Sequence, residues 1–223
     1  MAYWELKIAK MYRIVFLLLS SLIVLSCDQK EVIKLPYYNT PDFTPLFIEE
    51  AEVNLKIPHT IADFSFLNQD STMISQKNIE GKIHVANFIF TSCGSICPVM
   101  TTNLKIVNDS LSKNSDIVFL SYSVTPWLDS PSVLNKFKNR NRINNPNWHF
   151  LTGSKSKIYD LARKSYFAEE DLGFTKDSTE FLHTEHFILV DKSKRIRGIY
   201  NGTLSFEMNQ MLDDIKNLEK ENN

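Results

Sequence analysis

The segment that most constrains the fold of this chain is Thr91-Ser92-Cys93-Gly94-Ser95-Ile96-Cys97-Pro98, which follows an apolar run over residues 85–90. The run predicts a buried strand, and the pattern over residues 98–113 predicts a helix. Two thiols therefore lie where a strand leads into a helix N-terminus. Free backbone N–H groups and the helix dipole favour a thiolate there, and the thiolate is the form that attacks disulfides and binds metal ions.

The spacing of the two cysteines, C-x3-C, differs from the C-x-x-C of thioredoxin-type redox motifs. If the helix begins near the first cysteine, positions i and i+4 lie on one face, so both sulfurs could hold one ion. The competing interpretation is a pair of buried thiols without chemistry. We favour a functional site, because both cysteines flank a turn at a strand end, where functional residues concentrate.

The order of the predicted elements indicates an α/β fold. Because the cysteine motif follows the first long strand, we expect a thioredoxin-like domain with a central mixed sheet flanked by helices. Residues 168–182 are polar without a clear pattern and predict a surface insertion. The predicted strands cover residues 62–66, 83–90, 117–124, 148–151, 187–190 and 196–200, and the predicted helices cover residues 98–113, 154–166 and 205–220, with another starting at Ser130.

The N-terminus has the pattern of an export signal. Lys7, Lys10 and Arg13 precede an apolar run over residues 14–25, which is short for a membrane span, and the run ends in Ser26-Cys27. This ending resembles a bacterial lipobox, which implies cleavage before Cys27 and lipidation of its sulfur; an uncleaved signal anchor is the alternative. We expect a signal peptide over residues 1–26, a tether over residues 27–58 and the thioredoxin-like domain over residues 59–223. The domain would then be a membrane-anchored lipoprotein of the cell envelope that faces the periplasm.

The net charge and the cysteine count argue against two classes of function, nucleic-acid binding and a purely structural disulfide. The net charge is −1 and no basic block is present, which argues against nucleic-acid binding. Of three cysteines, Cys27 would carry lipid, which leaves Cys93 and Cys97. A structural disulfide between these two would close a very small loop and stabilise little, and a domain of this length has enough core without it. A working pair of thiols is the better interpretation.

A metal site on two thiolates needs a third ligand, and the chain has five histidines. His84 lies within a strand pattern and is expected to be a packed or paired core residue. His59 is expected to be solvated, and His149 is expected to be exposed. His183 and His186 precede the predicted hairpin, which lies beside the cysteine motif in a thioredoxin-like fold, so either could reach it. His183 lies in a loop and is the freer of the two, whereas the strand fixes the direction of His186.

Four segments of the chain match motifs of one known family. The segment around Cys93 and Cys97 resembles the T-x-C-x-x-x-C-P motif of the Sco/SenC proteins, the copper chaperones of respiratory cytochrome oxidase. The supporting segments are Ser123-Val124-Thr125-Pro126 with Asp129-Ser130-Pro131, Trp148 to Gly153, and Leu182-His183-Thr184. This resemblance, over roughly residues 60–220, implies that Cys93, Cys97 and His183 bind copper. The chain departs from the family at Leu182, where an acidic residue is usual, at the additional His186, and at Lys194, where glycine is common.

The chemistry of the donors agrees with copper. Cu(I) accepts thiolate with imidazole at low coordination number, whereas zinc would require a fourth ligand. The resemblance therefore implies a membrane-tethered chaperone that is not an enzyme in this role. It would deliver copper to the cytochrome c oxidase subunit that carries the binuclear copper centre. The sequence leaves open which oxidase is the partner and whether Cu(I) or Cu(II) is carried.

The alternative is an extracytoplasmic thiol–disulfide oxidoreductase that uses Cys93 and Cys97 as a redox pair. Thioredoxin-type oxidoreductases carry a cis-proline before the strand that faces the motif, and this chain has no proline after Pro146. The cysteine spacing also differs from theirs. A peroxidase-like thiol enzyme is a third and weaker alternative.

Overall fold

The computed structural model describes residue 4, residues 34–168 and residues 184–221. The chain divides into two units, residues 1–32 and residues 33–223, and all the elements below belong to the second. Within the described residues, no helix combines the length and the apolar character that crossing a bilayer requires. Apart from residue 4, the predicted signal peptide lies outside the described residues, as do Cys27, His183 and all but Ala168 of the predicted insertion.

The described strands form one mixed sheet in the order β2-β1-β9-β8-β5-β6-β7-β3-β4. β5, β6 and β7 are parallel, while β8 pairs with β5 in the antiparallel sense and β9 pairs likewise with β8. The mixed sheet flanked by helices confirms the predicted fold class. The strands are β1 Tyr37–Tyr38, β2 Pro45–Leu46, β3 Ser65–Asn68, β4 Met73–Ser75, β5 Ile83–Ile89, β6 Ile117–Ser123, β7 Trp148–Thr152, β8 His186–Val190 and β9 Ile196–Asn201.

The helices begin where the sequence supplies starting signals. Ser130 caps α3 by accepting a hydrogen bond from the backbone N–H of Val133, and Pro131 occupies the first helical position, as predicted. The helix of the cysteine motif begins two residues earlier than predicted, at Ile96, and so includes Cys97. In residues 34–168 and 184–221, the helices are α1 Glu50–Lys56, α2 Ile96–Ser110, α3 Pro131–Arg140, α4 Lys155–Lys164 and α5 Ser205–Glu221, and a 3₁₀ turn lies at Gln76–Asn78.

The sheet separates two hydrophobic cores. Helices α2, α3 and α5 cover one face, where Cys97 is buried and Cys93 is partly buried, and we call it the cysteine face. Helix α4 covers the opposite face, where Phe88, Tyr122 and Tyr166 pack together. All seven residues of β5 and of β6 are buried, because these central strands are covered on both sides. Because β5, β6 and β7 are parallel, all three end at the same edge of the sheet. This edge carries the cysteines, and we call it the cysteine end.

The segment predicted to be a tether was expected to pack on the domain at its end, and its described part also contains strands and a helix that were not predicted. Residues 34–58 add β1, β2 and α1 to the domain, and β1 extends the sheet through the pairing of Tyr38 with Ile196. Val53 and Ile57 are buried. The poor periodicity of this segment concealed its structure, because its few apolar residues pack on distant strands rather than form a core of their own.

Candidate metal centre

The two thiols meet at the N-terminus of α2. Cys97 is the second residue of the helix and is only 4% exposed, whereas Cys93 precedes the helix by three residues and is partly exposed. Both are free thiols. The expectation that both would lie on one face of the helix at i and i+4 was therefore wrong. Cys93 lies in the loop, and the loop folds back over the helix N-terminus, which brings its sulfur to the Cys97 thiol.

The environment separates the two thiols electrostatically. Partial burial opposes ionisation of Cys93, but hydrogen bonds from the N–H groups of Cys97 and Ser95 and from the Cys97 thiol outweigh it, so the pKa of Cys93 is lowered. Ser95 occupies the N-cap without making a side-chain cap bond, so the Cys93 sulfur takes over part of that role. Burial, together with the charge on the neighbouring Cys93, raises the pKa of Cys97. The site thus has one accessible, readily ionised sulfur and one buried partner.

A buried carboxylate holds the start of the cysteine loop in place. Asp129 is 1% exposed, and its oxygens accept hydrogen bonds from both the hydroxyl and the backbone N–H of Thr91, at 2.5 and 3.2 Å. The same carboxylate accepts from the hydroxyls of Ser123 and Thr125, at 2.6 and 2.9 Å. These bonds join the loop after β5 to the end of β6. From the sequence, Asp129 was part of a segment that resembles the family, but no role was predicted for it. Its contact with Thr91 joins residues 38 positions apart, which a local sequence pattern does not reveal.

The structure distinguishes the histidines near the hairpin. His183, the predicted third ligand, lies outside the described residues, so its position stays a prediction. His186 is the first residue of β8, and its ring packs edge-on against Phe43 at a centroid distance of 5.8 Å. Phe43 belongs to the core on the α4 face, so the pleat directs His186 away from the cysteine face.

The other three histidines are placed away from the two thiols. His84 is buried and hydrogen-bonded to the Tyr166 hydroxyl at 3.0 Å, which confirms the predicted core role, and burial lowers its pKa to about 3. The expectation for His59 was wrong, because its Nε2 bonds to the Ser165 carbonyl at 2.8 Å and its ring stacks on Phe167.

The expectation for His149 was also wrong. Its side chain is half-buried, and burial and nearby Lys138 lower its pKa to about 4. Its Nδ1 finds no hydrogen-bond partner within the described ranges. Strand alternation does direct His149 away from Trp148 and Phe150, but the residues flanking β7 cover that side of the strand too.

Within residues 34–168 and 184–221, no group of three His, Cys, Asp or Glu side chains is arranged to hold a metal ion. Two adjacent sulfurs alone can hold a soft ion such as Cu(I) at low coordination number. The two thiols therefore fit copper as a cargo.

Comparison with known proteins identifies relatives across this domain. The family model described as SCO1/SenC matches residues 54–220. A SCO1 protein homolog from Bacillus subtilis (strain 168) is 33% identical over 160 residues, which cover 71% of this chain and 82% of that protein.

Solved structures give the same result. A SCO1/SenC family lipoprotein from Bacillus anthracis str. Ames is 29% identical, with a TM-score of 0.63 over 72% of this chain and 95% of that one. BsSco, described as a member of the Sco family of cytochrome c oxidase assembly proteins that has a disulfide switch, is 31% identical, with a TM-score of 0.61 over 73% and 94% of the two chains.

A more distant structure, ScoI of Arabidopsis thaliana with copper bound, is 23% identical, with a TM-score of 0.55 over 71% and 98% of the two chains, and shows the shared fold. The family model covers most of this chain, and the matched region contains both cysteines of the motif and the fold built around them. The chain therefore belongs to the SCO1/SenC family.

Proposed function

We propose that this protein is a copper chaperone that binds copper through Cys93, Cys97 and His183 and delivers it to the binuclear copper centre of cytochrome c oxidase. The observation that carries the proposal is the pair of free, mutually hydrogen-bonded thiols at the N-terminus of α2. A transferable ion needs at least one accessible donor, so that an incoming ligand can displace it. Cys93 supplies that accessible donor, and buried Cys97 supplies a donor that stays bound to the ion while Cys93 is displaced.

Copper suits this donor set better than zinc does. Structural zinc sites use four ligands, and a site with two sulfurs and one imidazole would leave zinc one ligand short. Cu(I) is soft and is satisfied by two thiolates with or without an imidazole. The relatives add support, since one of them, ScoI of Arabidopsis thaliana, has been solved with copper bound. His183 is the proposed imidazole, and the orientation of His186 toward Phe43 favours that choice.

We further propose that the protein is anchored in the cell envelope through lipid on Cys27. The short apolar run that ends in Ser26-Cys27 supports lipidation, and the Bacillus anthracis relative is described as a lipoprotein. Anchoring would place the copper site on the periplasmic side of the membrane, where the copper centre of an oxidase subunit can receive it.

A second function, thiol–disulfide exchange, is favoured by the asymmetry of the two thiols. Cys93 is partly exposed with a lowered pKa, as an attacking thiol needs, and Cys97 is buried beside it, as a resolving thiol would be. The two functions are compatible, because an acceptor whose own cysteines are oxidised must be reduced before it can take copper.

The test is copper binding by three variants of the mature full chain. We expect Cys93→Ser and Cys97→Ser each to abolish tight Cu(I) binding, because a single thiolate remains. We expect His183→Ala to weaken Cu(I) binding and nearly to eliminate Cu(II) binding, since Cu(II) depends more on nitrogen donors. His186→Ala is the matched control and should change both affinities little.

Metal titration and mass spectrometry of the loaded protein give the stoichiometry, and complementation of oxidase assembly gives the cellular result. If His186→Ala fails in assembly while His183→Ala succeeds, the ligand assignment is wrong. A different result would be that the cysteine variants still support oxidase assembly but lack the disulfide-reducing activity of the parent protein. The protein would then be a thiol–disulfide oxidoreductase of another pathway and not a copper chaperone.

A further inference from the structure

The cysteine end of the sheet exposes apolar side chains that the fold does not need. Trp127 and Leu128, in the loop after β6, are 57% and 58% exposed. Val99 lies exposed in the first turn of α2, two residues after Cys97. We call the exposed apolar residues at this end the apolar rim, and its described members are Val99, Trp127, Leu128, Leu204 and Phe206.

The rim has members on both sides of β5, because Trp127 and Leu128 follow β6 and Leu204 follows β9. Trp127 and Leu128 directly precede Asp129, whose carboxylate binds Thr91, two residues before Cys93. Two residues of chain span at most about 7 Å, so Trp127 is a close neighbour of the cysteine loop. On the other side, Asn103 of α2 donates to the Gly202 carbonyl, which places the loop that carries Leu204 beside α2, and Phe206 follows in the first turn of α5.

The tip of the β6–α3 loop is held in a defined shape despite its exposure. The backbone N–H groups of Leu128 and Asp129 both donate to the Thr125 carbonyl, at 2.8 and 2.9 Å. The Trp127 ring lies under the Lys155 ammonium at 5.1 Å. Ordering a surface before binding reduces the entropy lost on association, and exposed tryptophan is the residue type most enriched among interface hot spots.

The N-terminal segment joins the domain at the opposite end. Leu35 donates to Glu221 at the end of α5 and accepts from Arg197 near the start of β9. Ile196 pairs with Val190, and Val190 pairs with His84 of β5. His84 lies six residues before Phe90, the residue that follows β5. At about 3.3 Å per residue, this junction lies about 20 Å from the cysteine end.

We propose that the apolar rim is the docking surface for the protein that accepts copper from Cys93 and Cys97, and that Trp127 and Leu128 are its main contacts. This rests on the proposed function. Copper passes between proteins when the accepting donors reach the ion before the first donors release it, so the acceptor must touch the surface around Cys93. In the transfer, Cu(I) keeps its oxidation state, the two sulfurs take up protons, and the acceptor's donor atoms give theirs up.

The chain enters the domain about 20 Å from the rim. The seven steps of chain from Cys27 to Lys34 span at most about 25 Å, which is enough for a lipid on Cys27 to reach either end of the domain. The membrane is therefore the alternative occupant that the experiment has to separate from the copper acceptor.

The experiment measures copper transfer from the mature full chain in detergent. The parent and the Trp127→Ser/Leu128→Ser variant are loaded with one equivalent of Cu(I), and transfer is followed to the reduced soluble copper domain of the oxidase subunit. A water-soluble Cu(I) chelator serves as a second acceptor that needs no docking. The matched control is Phe47→Ser/Leu55→Ser, which removes two apolar side chains of the N-terminal segment that are more exposed than the rim pair, at 73% and 83%.

We expect the rim variant to hold copper with the parent's affinity and to lose it to the chelator at the parent's rate. Transfer to the protein acceptor at limiting concentration should be slowed by about tenfold or more, as removal of a hot-spot residue implies. The control variant should transfer copper like the parent. A transfer rate unaffected by the rim variant overturns the docking proposal while leaving the proposed function intact.

Two other outcomes also overturn the proposal. Loss of binding to anionic phospholipid vesicles by the rim variant, with unchanged transfer, makes the membrane the occupant. Self-association of the parent that the rim variant abolishes makes a second copy of the chain the occupant. If the parent binds no Cu(I) at all, the proposed function itself fails, and that result is distinct from every result above.

Discussion

At the cysteine end of the sheet, β5 and β6 finish in loops that carry free thiols and exposed apolar side chains, and buried Asp129 holds the loops together. At the opposite end, Arg197 is 4% exposed and binds Asp191 and Glu221, while also donating to the carbonyls of Leu35 and Pro36. We call this second arrangement the Arg197 clamp. One end keeps groups available to other molecules, and the other fastens the N-terminal segment to the last helix. We therefore expect copper binding and stability to depend on separate ends of one sheet.

The largest expected effect follows from breaking the Arg197 clamp. Arg197→Met leaves buried Asp191 and partly buried Glu221 without their cation, and loss of one partner of a buried ion pair typically costs about 3–5 kcal/mol. We expect the free energy of unfolding, measured by urea denaturation at pH 7, to fall by that amount. Copper stoichiometry of the protein that remains folded should not change, because the thiols lie at the other end.

Lys34→Met is the control for the clamp. Lys34 pairs with Glu49 on the surface, where exposed ion pairs contribute little, so we expect unchanged unfolding. Should Arg197→Met unfold like the parent, the clamp has no part in stability. Loss of copper binding by the folded variant would instead show that the two ends are coupled.

The next effect concerns pH and His84, which lies on β5 near the clamp end. Its folded-state pKa of about 3 is below the ordinary value of 6.5, so only the unfolded chain takes up a proton as the pH falls below 6.5. The stabilising contribution is complete above pH 6.5 and is lost as the pH falls toward 3. Between pH 7 and pH 5 we expect a loss of about 2 kcal/mol from this residue.

Urea denaturation at the two pH values measures that loss, and His84→Gln is the comparison, since glutamine can still bond to the Tyr166 hydroxyl. The variant should be about 2 kcal/mol less sensitive to this change of pH than the parent. Equal sensitivity in the two proteins would mean that His84 is protonated in the folded state.

The smallest effect concerns the cysteine end. Thr91→Val removes one of the hydroxyl bonds to Asp129, and the carboxylate keeps its other partners. We expect a loss of about 1 kcal/mol in unfolding free energy. Because the loop then holds Cys93 less firmly, we also expect copper to dissociate up to about fivefold faster.

Thr102→Val is the matched control, because the Thr102 hydroxyl bonds only to a carbonyl of its own helix at an exposed position. Stopped-flow chelation measures the dissociation rate in both variants. Equal rates for Thr91→Val and the parent would show that Asp129 holds the loop without influencing the metal.

Local sequence determined much of this protein. The apolar run before Cys93 predicted β5, the Ser130-Pro131 pair predicted the start of α3, and the later strands were predicted to within two residues. These features depend on neighbours within a few residues, so periodicity and capping signals show them. The positive φ of 67° at Lys194 agrees with the expectation that glycine would suit that turn position.

The tertiary structure alone decided how distant residues combine. Residues 34–58 have weak periodicity, yet pairing with β9 and the Arg197 clamp make them part of the sheet. His186 turns away from the thiols because the pleat of β8 directs it toward Phe43. Asp129 reaches Thr91 because the parallel strands β5 and β6 bring their carboxyl ends to one edge, and β9 ends at the same edge and adds the rest of the apolar rim. The sequence carries the chemistry of the two thiols, and long-range pairing, which no local pattern encodes, decides what surrounds them.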